Sequence, residues 1–162
     1  MKASIIKTNT IKSNNDRFSQ IIFVDTPNLI FSKRFIVKSI IEAIIAFILK
    51  NPKTLFILLI TPRIRNRYPN VVEILRNLEE QWNNVLLVNS PKHTDPDLCL
   101  LYYAHILAKT SHHVYILSND RYRSKIYQSF LSNLKLLPFR LSNTSHGCVI
   151  DTELNRKEDA VA

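Results

Sequence analysis

The stretch Ile21-Ile22-Phe23-Val24-Asp25 sets four β-branched or aromatic residues in a row and closes them with a carboxylate. A run that is apolar at every position fits a strand covered on both faces, as in a parallel sheet packed between helices. Runs of the same kind recur at residues 55–60, 85–88 and 114–117. Helical patterns separate them. Phe35, Ile36, Ser39, Ile40, Ala43, Ile44, Phe47 and Ile48 recur at spacings of three and four, with Ser32 as the expected cap and Asn51-Pro52 as the stop. Pro69 opens a second helix carrying Val72, Ile74, Leu75 and Leu78, which ends near Trp82. Asp95 or Thr94 caps a third over residues 96–109, and a fourth is expected from Asp120 to the vicinity of Leu131. Residues 136–141 and 148–150 read as short strands.

Strands and helices in alternation predict an α/β fold, a three-layer sandwich around a mainly parallel sheet of about four or five strands. One domain is expected over residues 20–152, between a flexible N-terminal segment (1–19) and a flexible charged tail (153–162). The single glycine, Gly147, excludes a Gly-rich phosphate loop and a nucleophile elbow, and with them nucleotide hydrolases of the P-loop kind and dinucleotide folds. Cys99 and Cys148 have no CxxC spacing, so a zinc or redox motif is not expected. Cys99, within Leu98-Cys99-Leu100-Leu101, reads as a small buried apolar residue. The longest apolar region, 35–49, carries Lys38 and Glu42 and is too short to cross a bilayer. The polar N-terminal segment lacks the continuous apolar stretch of a secretory signal. A soluble, intracellular protein, cytoplasmic and without membrane partners, is the expectation.

Lys and Arg number 22 against 13 Asp and Glu, a formal net charge of +9. That excess favours polyanionic partners, nucleic acid first and an anionic membrane surface second. In open α/β sheets ligands bind at the carboxyl ends of the strands, beside the point where strand order reverses. Those ends here carry Asp25 and Ser118-Asn119-Asp120, and Asp97 opens the helix leading into the fourth strand. An Asp at a strand end or helix start is commonly a turn former or a cap. Three on one edge of a basic chain are also a set of hard oxygen donors, suited to Mg²⁺ or Mn²⁺, which relieves their mutual repulsion. Arg63-Ile64-Arg65-Asn66-Arg67 reads as a basic loop after the second strand, and Lys92-His93 follows the third. Arg121, Arg123 and Lys125 fall in the expected fourth helix. Arg63, Arg65, Arg67, Lys92, Arg121 and Arg123 are expected to rim the acids and contact nucleic-acid phosphates, with Tyr68 and Tyr122 stacking on unpaired bases. His112-His113, before the fourth strand, falls at the opposite edge and reads as structural.

Val24-Asp25-Thr26-Pro27-Asn28-Leu29 resembles the first motif, V-D-G-x-N, of the NYN branch of PIN-like ribonucleases. Ser118-Asn119-Asp120-Arg121-Tyr122-Arg123 resembles the S-N-D-x-Y-R motif of the regnase-type members of that branch. Leu58-Leu59-Ile60-Thr61-Pro62-Arg63 is similar to their strand and following basic loop, so that the resemblance spans residues 21–127. It implies a PIN-like fold and a metal-dependent endoribonuclease, with Asp25, Asp97 and Asp120 holding Mg²⁺ or Mn²⁺ and Asn28 positioning the site. The chain departs from the pattern at Thr26, where the family has Gly; at Pro96, where it has an acid unless Asp95 substitutes; and at Ser124, where it has another acid. Fewer carboxylates weaken metal binding. The alternative reading is therefore a weakened or inactive PIN-like module that binds RNA or a protein partner, and a homodimer stays open. A response-regulator-like domain, which also uses acidic strand ends, fits the basic rim less well.

Overall fold

The computed structural model describes residues 17–32, 34–110 and 113–161, with side chains as far as Lys157. Five strands form one parallel sheet: β1 (Gln20–Val24), β2 (Thr54–Ile60), β3 (Val85–Asn89), β4 (Val114–Leu117) and β5 (Lys135–Leu137), in the order β3-β2-β1-β4-β5. The chain steps outward from β1 to β2 to β3 and then returns to the other side of β1 as β4. Strand order therefore reverses between β1 and β4, where Val24 pairs with Leu117. Asp25 continues the pairing through its backbone N–H, which donates to the Leu117 carbonyl at 3.1 Å.

The alternation of side chains along a strand builds two cores from one sheet. Ile22 and Val24 of β1, with Phe56, Leu58 and Ile60 of β2, face one core. Ile21 and Phe23, with Leu55, Ile57 and Leu59, face the other. All seven residues of β2 are buried, which explains why its sequence shows no polar alternation. The first core is covered by α1 (Thr26–Ile30), α2 (Val37–Lys50), α3 (Pro62–Arg67) and α4 (Pro69–Gln81). The second is covered by α5 (Pro96–Ala108) and by the segment that follows β4, which contains α6 (Lys125–Gln128). This is the three-layer α/β arrangement that the sequence predicts. Among the described residues no helix is long and apolar enough to cross a membrane.

Several elements differ from expectation, each for a local reason. Helix α2 begins at Val37 after Ile36, without a side-chain cap, so Ser32 does not cap it. The basic segment 63–67 is helical: Thr61 accepts a hydrogen bond from the Ile64 N–H at 3.3 Å and Pro62 supplies the first turn. The helix expected from Asp120 shrinks to α6, because residues 118–124 are held in a loop by side-chain hydrogen bonds described below. The expected strand over 136–141 divides at Pro138-Phe139. Its first part is β5, and its continuation becomes β6 (Arg140–Thr144), which pairs antiparallel with β7 (Gly147–Asp151). The charged segment from Glu153, expected as a flexible tail, forms helix α7 (Glu153–Val161), with Leu154 packed against the first core. His112 and residues 1–16 of the expected N-terminal segment lie outside the described residues.

Candidate active site

Side-chain alternation also decides which way the key carboxylate points. Ile21, Phe23 and Asp25 share a parity, so Asp25 falls on the α5 side of the sheet, among the residues of the second core. It is 4% exposed. Its Oδ2 accepts from two hydroxyls: Ser118 Oγ at 2.7 Å and the Tyr122 phenol at 2.8 Å. Its Oδ1 accepts only a longer bond, from the Asn28 N–H at 3.4 Å, as the N-cap of α1. Burial pushes the Asp25 carboxyl above its ordinary range; the Ser118, Tyr122 and Asn28 hydrogen bonds pull it back, and Asp120 adds to the rise.

Tyr122 was expected to face bases and does not. It is 1% exposed, lies in the second core and meets Tyr127 edge-on at 5.9 Å. A buried phenol needs a hydrogen-bond partner, and Asp25 supplies it. Burial and the Asp25 charge hold that phenol protonated far beyond neutral pH, so it remains a donor. Its backbone takes a φ of 47°, in the left-handed region. Asp120 stabilises that turn, with its Oδ1 accepting the Tyr122 N–H at 2.7 Å. The Asp120 N–H donates in turn to Ser118 Oγ at 3.1 Å, which ties the loop back to Asp25. Asp120 itself is exposed, and its second oxygen has no protein partner among the described residues.

Asn28 joins the two sides of the switch point. Its Oδ1 accepts from the Asn119 N–H at 3.1 Å, and Asn119 Oδ1 accepts from the Phe139 N–H at 2.9 Å. Asp97 is half-buried in the first turn of α5 and has neither a hydrogen bond to its carboxylate nor an ion pair among the described residues. Burial first, then the charges of Asp25, Asp95 and Asp120, raise its pKa to about 6. Asp95 has both oxygens engaged, Oδ1 capping α5 through the Asp97 N–H at 2.9 Å and Oδ2 accepting from the Tyr127 phenol at 2.6 Å. That bond pushes the phenol up to about 12. Thr94 instead donates to the Pro91 carbonyl. Asp25, Asp97 and Asp120 are thus neighbours that sense one another's charge. Among the described residues, however, no three His, Cys, Asp or Glu side chains stand close enough to hold a metal ion as they are placed.

The basic residues divide. Arg63, Arg67, Lys92, Arg121 and Arg123 are exposed, and all follow carboxyl ends of strands. Arg65 is half-buried and clasps the ends of β2 and β3, donating to the Ile60 carbonyl, Asn89 Oδ1 and the Ser90 carbonyl at 3.2–3.4 Å. Its guanidinium is a strand-end brace and not the free phosphate contact that the sequence suggests. The sequence reading passed over Phe31, at the C-terminus of α1, which gathers Arg63 and Tyr68 around its ring.

No family model matches the chain, and no curated protein is similar to it in sequence at a significant level. Among solved structures it is similar to nuclear protein-only RNase P 2 of Arabidopsis thaliana, with a TM-score of 0.54 and 11% identity over 93% of this chain. The likeness is one of fold: a parallel sheet with helices on both faces. The match covers 34% of that protein, so this chain spans about a third of its length. At 11% identity the likeness speaks for the fold alone.

Proposed function

We propose that the chain is a metal-dependent endoribonuclease that hydrolyses phosphodiester bonds of single-stranded RNA, closest in its motifs to the regnase type of NYN ribonucleases. One observation carries the reading. Asp25, Asp97 and Asp120 are neighbours at the sheet's switch point in a chain of net charge +9, and none of them has a cationic partner among the described residues. Lys and Arg are plentiful, yet among the described residues none pairs with these acids, which suits a small hard cation as their partner. By chemistry, though not yet by placement, the donors suit Mg²⁺ or Mn²⁺: Asp25 Oδ1, which holds only the long Asn28 bond, the unbonded carboxylate of Asp97 and the second oxygen of Asp120. When bound, the ion supplies charge neutralisation at the scissile phosphate and a water of lowered pKa.

The chain's own residues have separate tasks. Ser118 and Tyr122 fix Asp25 through one oxygen and leave the other with only the long Asn28 bond. Asn28 keeps the β1 and β4 corners in register. Arg63, Arg67, Lys92, Arg121 and Arg123 follow the carboxyl ends of the strands, the same edge as the acids, and would neutralise flanking phosphates. That the similar solved structure is by name an RNase P adds support for RNA as the substrate.

A second reading is a catalytically weakened module that binds RNA or a protein partner. It is favoured by the exposed Ser124, which stands in place of an acid, and by carboxylates not drawn together around one point. Cleavage of a single-stranded RNA in Mn²⁺ or Mg²⁺ separates the two. The nuclease reading expects cutting that stops with chelator and falls by at least about 100-fold in Asp25→Asn. Salt-sensitive RNA binding without cutting would establish the module instead.

A further inference from the structure

At the C-terminus of α1, two arginines crowd one aromatic ring that the proposed hydrolysis does not use. Phe31 caps the C-terminus of α1, the short helix that opens on Asp25. It is half-buried and packs against the first core. The Arg63 guanidinium carbon lies over its ring, 3.9 Å from the centroid. Arg67 is 6.0 Å from the same ring and 5.6 Å from that of Tyr68, whose centroid is 6.0 Å from Phe31. Arg63 and Arg67 are four residues apart on α3 and so share a face, whereas Arg65 turns away to the strand ends.

Neither Arg63 nor Arg67 pairs with a carboxylate among the described residues. Two exposed guanidinium groups held against aromatic faces, without counter-charge, offer both a stacking surface and phosphate contacts. A nucleobase in single-stranded RNA presents a free π-face and an adjacent phosphate. In a duplex that face is already covered by its neighbours. Along α1 the rise from Asp25 to Phe31 is roughly 9 Å, within reach of a nucleotide close to one held at the acids.

We propose that Phe31 and Tyr68, with Arg63 and Arg67, form a stacking subsite for an unpaired base of the RNA and so select single-stranded substrate. The inference rests on the RNA reading above. Its test is binding of a short single-stranded RNA bearing one 2-aminopurine, in chelator so that no cleavage intervenes, followed by anisotropy and base fluorescence. Phe31→Leu preserves apolar packing, and Arg63→Gln changes an exposed residue; thermal melts check that both fold. Each variant is expected to bind the single strand roughly tenfold more weakly and to lose quenching of the base, and Phe31→Leu is expected to leave binding of a blunt RNA duplex unchanged. Wild-type affinity and quenching in both folded variants would overturn the subsite, even if the wild type cuts RNA. A wild type that binds and quenches through Phe31 but does not cut in Mn²⁺ would sustain the subsite and overturn the nuclease reading. A wild type that binds no RNA would overturn both.

Discussion

Asp25 is a buried carboxylate whose environment is divided between two oxygens, and Tyr122 is central to that division. Removing the phenol in Tyr122→Phe leaves a buried carboxylate short of one charge-assisted bond. We expect a loss of about 1–3 kcal/mol in urea denaturation, and a loss of metal-dependent activity larger than the loss of RNA binding. Asp97 gives a prediction with the opposite sign. Its folded pKa of about 6 lies above its ordinary 3.8, so the folded chain binds this proton more tightly than the unfolded one. The associated stability is full below about pH 3.8 and is lost as pH rises through about 6. Ionised Asp97 is therefore a cost to the metal-free protein at neutral pH. Asp97→Asn should raise the stability of the metal-free chain at pH 7.5 by on the order of 1 kcal/mol, discounted because the residue is half-exposed. It should do so much less near pH 4. Denaturation at both pH values in chelator checks this, and an unchanged pH dependence would remove the electrostatic account of Asp97.

At the scale of elements, the corner formed by β1, α1 and the loop after β4 determines whether the site exists. Asn28→Ala cuts the tie to Asn119 and should cost about 1 kcal/mol while reducing cleavage, because the two carboxylate-bearing corners lose their register. Ile57, fully buried in β2, should cost about 2–5 kcal/mol as Ile57→Ala without touching the site chemistry. The parallel sheet was legible in the sequence because buried strands such as Leu55-Phe56-Ile57-Leu58-Leu59-Ile60 carry no polar alternation. Helices α1 and α3 were not, because five or six residues are too few to show a helical period. Their signals were instead a cap followed by proline, Asp25-Thr26-Pro27 and Thr61-Pro62. Of the candidate site, motif and strand end together singled out Asp25 and Asp120, and motif alone Asn28; the structure gathers all three into one hydrogen-bonded corner. Tyr122 misled: beside Arg121 and Arg123 it resembles a surface aromatic, yet the left-handed turn at Tyr122 turns its ring inward to Asp25. Arg65 misled as well, since backbone carbonyls brought together only by folding are two of its three partners.

Across the whole molecule, a positive net charge surrounds an acidic centre at one edge of the sheet. Arg121→Gln and Arg123→Gln should each reduce the slope of log K against log salt for RNA binding by about 1. Arg65→Gln should leave that slope unchanged and instead lower stability by about 1–3 kcal/mol. Equal slopes for all three variants would disconnect the rim from phosphate binding. The central claim is that Asp25, Asp97 and Asp120 share one divalent cation. Titration of the metal-free chain with Mn²⁺, following free ion by electron paramagnetic resonance, tests it without requiring the right RNA. The account predicts one ion per chain, with binding lost in Asp25→Asn and in Asp120→Asn and weakened in Asp97→Asn, while all three variants remain folded. Undiminished Mn²⁺ binding in the folded Asp25→Asn and Asp120→Asn variants, or no binding by the wild type, would contradict it.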